Sequence, residues 1–155
     1  MRTVLFAIIV VLGSVSVCLT QESQSPCMQI ENGIRVKAPS WNLVRKSASC
    51  SRNLSYLVYQ SGIAKVYVFI FPQKSLKDAS TQFNYLASDE VLSGPDLAVL
   101  GTGWRNAKEE NRVWRDWNET GVDLKKGKVV VRVSASTLDL CRQFAEYIGD
   151  SLPDA

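Results

Sequence analysis

The chain has 155 residues, 46% of them hydrophobic and 21% charged, proportions that suit one globular domain and exclude collagen, coiled coil and wholesale disorder. Its formal charge of +3 is mild and its bases are interspersed with acids, so the basic stripe of a dedicated nucleic-acid binder is missing. It contains no histidine, which removes Ser-His-Asp and Cys-His nucleophile pairs, an imidazole acid or base near neutral pH, and His-ligated zinc or haem.

Met1 and Arg2 are followed by an unbroken apolar run, Val4 to Leu12, and then by the small and polar residues Gly13 to Thr20. This is the polarity of a signal peptide, expected over residues 1–20 and cleaved after Ser16, Cys18 or Thr20. A bilayer span needs about 20 apolar residues, and Gly13, Ser14 and Ser16 dilute this run, so no transmembrane segment is expected once it is removed. The mature protein is expected outside the cytoplasm, secreted or in the periplasm or cell envelope. Removing the leader takes away one arginine and no acid, so bulk charge does not select a partner. In an oxidising compartment Cys27, Cys50 and Cys141 would supply one disulfide and one leftover thiol. Cys27 with Cys50 leads, closing a loop worth about 3 kcal/mol; Cys50 with Cys141 is the alternative.

Residues 21–28 read as a polar, flexible leader to a single domain over 29–152. The alternation around Ile34 and Val36 predicts a strand over 30–37, ending at Ala38-Pro39-Ser40 before Trp41. A short strand over 43–48 and a polar loop follow. Runs 56–60 and 65–71 make a hairpin about Ser61-Gly62-Ile63-Ala64, and the second run, apolar on both faces, belongs inside a sheet. Ser75 caps a helix with Leu76, Ala79, Phe83 and Leu86 on one stripe. Residues 89–96 connect it to strands over 97–105 and 112–118, with a turn at 106–111. Lys125-Lys126-Gly127-Lys128 turns into a strand over 129–133, and Ser136-Thr137 caps a last helix with Cys141, Phe144, Ala145 and Ile148 facing inward.

At an offset of 61, Lys65, Val68, Ser75, Asp78, Gln82 and Phe83 match Lys126, Val129, Ser136, Asp139, Gln143 and Phe144, a strand–helix pseudo-repeat. The expected fold class is α+β, an antiparallel sheet with two helices packed on it. The run Ile34-Arg35-Val36-Lys37-Ala38-Pro39-Ser40-Trp41, followed by antiparallel strands, a middle helix and a final strand and helix, resembles the PsbP-like fold over most of the mature chain. That resemblance implies an α+β sandwich acting as an accessory or protein-binding domain, with no catalytic residues to carry over.

Without histidine, acid–base chemistry would need a carboxylate pair, and the candidates are Asp89-Glu90, Glu109-Glu110 and Asp116 with Glu119. Neighbouring acids in strands point apart, so these read as solvated charges. Gly101-Thr102-Gly103 lacks the rest of a phosphate loop and reads as a strand kink. Three scattered cysteines give no zinc site, and no metal or other cofactor is expected. Asn53-Leu54-Ser55 and Asn118-Glu119-Thr120 fit the glycosylation acceptor pattern, which would matter in a eukaryotic host.

The segment Trp104, Arg105, Arg112, Trp114, Arg115, Trp117 concentrates tryptophan and arginine, the residues that anchor interfaces and stack on sugars. Its plainer interpretation is that the tryptophans fill the sheet. The expected function is a secreted, non-enzymatic binding or accessory domain for a protein or glycan partner. A small carboxylate-dependent hydrolase and a secreted inhibitor or effector are the alternatives.

Overall fold

The computed structural model describes residues 24–47, 54–88, 98–102, 109–115 and 119–154. The expected signal peptide, Cys50, both sequon asparagines Asn53 and Asn118, and Trp104, Arg105 and Trp117 lie outside these residues.

The first element, α1 (Pro26–Lys37), is a helix where a strand was expected. Ser25 caps it, its side chain accepting from the Met28 amide, and Pro26 occupies the first position, where a missing amide costs nothing. Cys27, Ile30 and Ile34 then recur at helical spacing and are fully buried, whereas Val36, which carried the apparent alternation, is 76% exposed. Residues 26–28, expected in the leader, therefore belong to the fold, and Ile34–Lys37, within the segment that resembles the PsbP-like opening, closes α1. Gly33 seats this helix: a Cβ there would fall 1.6 Å from Ser151 Oγ. Trp41 packs edge-on against Phe144, ring centres 5.0 Å apart.

Seven antiparallel strands follow among the described residues: β1 (Asn42–Lys46), β2 (Ser55–Ser61), β3 (Ala64–Pro72), β4 (Ala98–Thr102), β5 (Glu109–Arg115), β6 (Thr120–Lys126) and β7 (Val129–Ala135). They form one sheet in the order β1-β2-β3-β7-β6-β5-β4, so β3 is interior, as its two apolar faces required. Strand β6 was not expected, and β5 begins at Glu109, inside the expected turn 106–111. A register shift between Val99 and Gly101 marks the expected kink of β4.

Two further helices, α2 (Leu76–Tyr85) and α3 (Leu138–Ser151), complete the α+β fold. Helices α3 and α1 cover one face, over a core that includes Leu57, Val68, Val122, Val133, Phe144 and Ile148. Helix α2 lies on the other face, where Ala79, Phe83 and Leu86 meet Val130 and Phe71. The strand-then-helix order recurs at β3–α2 and β7–α3, with helices on opposite faces and caps at Ser75 and Thr137, one residue off the expected offset.

Candidate functional site

On the α2 face, strand pairing aligns Tyr56 with Phe69, Phe69 with Arg132, Arg132 with Asp123, and Asp123 with Arg112, one row across five strands. The row has two unlike halves. In the half under α2, Asp123 is fully buried and both its carboxylate oxygens accept from Arg132, Nε to Oδ1 at 2.7 Å and Nη2 to Oδ2 at 2.9 Å. The Trp114 indole donates to Asp123 Oδ1 at 3.1 Å, and Arg112 Nε stands 3.8 Å from Oδ2. Burial pushes the Asp123 carboxyl above the usual carboxylate range, and Arg132, Arg112 and Trp114 offset only part of that rise.

The two guanidiniums reach from this carboxylate to the end of α2. Arg112 donates to the Phe83 carbonyl and Arg132 to the Leu86 carbonyl, which places positive charge where the helix dipole is negative. Arg112 also stacks over Phe83, 4.2 Å from its ring centre, and Arg132 over Trp114 at 4.6 Å. Gly121 makes room for the indole, since a Cβ there would lie 2.0 Å from Trp114 Cζ2. The network is an anchor that holds α2 to the sheet.

The other half carries no described helix. Helix α2 packs over β6, β7 and the Phe71 end of β3, and among the described residues no helix covers the rest of β1–β3 on this face. Tyr56, Tyr67 and Phe69 are half-buried there. Exposed cations frame them: Arg45, whose guanidinium lies 5.6 Å from the Tyr56 ring centre, Lys65 beside the hairpin turn, and Lys74 past the end of β3. Strand register puts Asn42, Arg45, Gln60 and Lys65 on this same side, and no acid stands among the β1–β3 residues that face this way. A cleft of about 530 Å³ runs along the flank of α2, lined by Pro72, Gln73, Lys74, Asp78, Gln82 and Tyr85 among others.

The residues expected to form a site separate here. Trp114, expected as an exposed anchor if the segment is a binding surface, is 4% exposed and serves the α2 anchor together with half-buried Arg112; Arg115 is exposed at the end of β5. Glu109 and Glu110 face opposite sides of the sheet, Glu109 buried 3.6 Å from Lys126 and Glu110 exposed 2.7 Å from Lys125. Cys27 is disulfide-bonded to a partner outside the described residues, while Cys141 is free and buried, its thiol donating to the Thr120 carbonyl. A disulfide of Cys50 with Cys141 is thereby excluded. The open aromatic platform was missed. Its signal was present in the alternation Tyr67, Phe69, Phe71 opposite Val66, Val68, Ile70, because an interior strand with two apolar faces needs cover on both.

No family model matches the chain, and no curated protein matches its sequence. Among solved structures the chain is similar to a GTP-binding regulator from Thermotoga maritima, with a TM-score of 0.51 and 9% identity over 77% of this chain and 83% of that one. At that identity the likeness concerns the fold alone.

Proposed function

We propose that this protein is an exported, non-enzymatic binding domain that holds an anionic partner on the open half of its sheet. The observation that carries this reading is the pairing of half-buried Tyr56, Tyr67 and Phe69 with the exposed cations Arg45 and Lys65 on an acid-free stretch of β1–β3, with exposed Lys74 past its end in the cleft that Asp78 also lines. Aromatic rings supply contact area at little entropic cost, and cations at the rim steer an oppositely charged partner. Edge strand β1 carries a register shift and the exposed Arg45 and Lys46, features that oppose strand addition, so the face of the sheet rather than its edge is the contact. Helix α2 forms a wall beside it.

Capture by the immobilised mature protein from its own host's envelope and culture fluid tests this. The wild type should retain an anionic component that elutes with salt. Arg45→Glu with Lys65→Glu should lower retention at least about tenfold at an unchanged melting temperature. Undiminished capture by the folded double variant would refute the assignment.

A further inference from the structure

Resting on that reading, we infer that the partner is an acidic polysaccharide, a chain of sugar rings bearing carboxylates that lies along β3. Three features select it over other anions. The platform is shallow: Lys65 to Phe69, short of the Phe71 end that α2 covers, spans about 13 Å at the rise of a strand, and three strands give about 10 Å of width, which suits a stretch of flat rings. The floor is aromatic and the rim carries amides as well as charge, with Tyr56, Tyr67 and Phe69 below and Asn42 and Gln60 beside Lys65. Sugar rings offer C–H faces to aromatic rings and hydroxyls to amides, while Arg45, Lys65 and Lys74 would meet the carboxylates.

An acidic peptide fits less well. Peptides gain affinity from side chains sunk in deep pockets or from adding a strand, and here the aromatic floor is shallow while the β1 edge is irregular and charged. A lipid surface would need a contiguous protruding apolar patch around the cations; exposed Val44, Ile63 and Leu76 are spread over β1, the hairpin turn and α2, and Tyr56, Tyr67 and Phe69 are recessed.

Affinity electrophoresis and calorimetry of the mature protein would use polygalacturonate and alginate as acidic glycans, a neutral β-glucan, poly-L-glutamate, and phosphatidylglycerol vesicles. At least one acidic glycan should bind, at least about tenfold more tightly than the neutral glucan or poly-L-glutamate. That binding should fall by a similar factor both in Arg45→Glu/Lys65→Glu and in Tyr67→Ala, each checked for a wild-type melting curve. Poly-L-glutamate binding as tightly as either glycan, binding to vesicles alone, no binding to either acidic glycan, or binding indifferent to the charge-reversal pair would overturn the inference. If the glycans fail while the charge-reversal pair still abolishes capture of the native partner, the ligand class falls and the binding surface stands. If the pair leaves native capture unchanged, both fall.

Discussion

Asp123 is the residue on which the α2 face turns, and its role is invisible in a sequence where Gly121-Val122-Asp123-Leu124 looks like an ordinary polar interruption. The carboxylate is fully buried because two arginines and an indole converge on it from β5 and β7, strands separated from it by turns rather than by neighbourhood in the chain. Breaking a buried pair leaves its partners charged and unpaired, so Asp123→Ala should cost about 3–5 kcal/mol in urea denaturation. Trp114→Phe should cost about 1–3 kcal/mol by leaving one acceptor underused. Cys141 gives a pH test. Burial raises its thiol to about 11 from an ordinary 9.0, so between those values the unfolded chain loses a proton that the fold keeps. Stability is then complete below pH 9 and declines as pH rises towards 11, and buried Tyr59, raised for the same reason from an ordinary 10.0, adds to the loss above about pH 10. Denaturant midpoints at pH 8 and 10.5 should show this decline, and Cys141→Ala should reduce it. A midpoint rising with pH would contradict it.

The elements differ in how firmly they are held. Helix α3 buries Cys141, Phe144, Ala145 and Ile148 in the main core, while α2 rests on Ala79, Phe83 and Leu86 and on two arginine-to-carbonyl bonds near its last turn. Amide exchange should therefore be faster in α2 than in α3, and Asp123→Asn should speed α2 selectively by loosening both arginines; equal protection of the two helices would contradict this. Helix α1 depends on close approach to α3, so Gly33→Ala should destabilise by about 1–3 kcal/mol through overpacking against Ser151. Interior strands β3 and β7 and the capped helices α2 and α3 were legible because hydrophobic period and cap residues agreed. Helix α1 was not, because Ile34 and Val36 offered a short two-residue alternation that hid the longer spacing of Cys27, Ile30 and Ile34. Strand β6 was missed for a related reason: its residues on the α2 face are Gly121 and Asp123, small or polar because the anchor needs them so, and Lys125, which donates to Ser80 of α2.

At the scale of the whole molecule, the sequence and the fold place demands on each other. Cys27 sits fully buried in the first turn of α1 and is disulfide-bonded. Peptide mapping of the exported protein without reductant should give Cys27 joined to Cys50 and a chain lacking residues 1 to about 20; recovery of Cys27 as a free thiol would contradict the pairing. The α+β class was legible from the order of strands and helices, but the location of the candidate site was not. Composition drew attention to tryptophan and arginine around Trp114, where pairing across β5–β7 engages Trp114 and Arg112, and away from tyrosine and phenylalanine on β2 and β3, which among the described residues the one-sided placement of α2 leaves without a covering helix. Hydroxyl-radical footprinting of the mature protein, alone and with its captured partner, tests that placement most directly. Tyr67 and Tyr56 should oxidise faster than buried Tyr59 in the free protein, and the partner should protect Tyr67 while leaving Tyr147, on α3 across the sheet, unchanged. Tyr67 as resistant as Tyr59, or protection falling on Tyr147 instead, would contradict it.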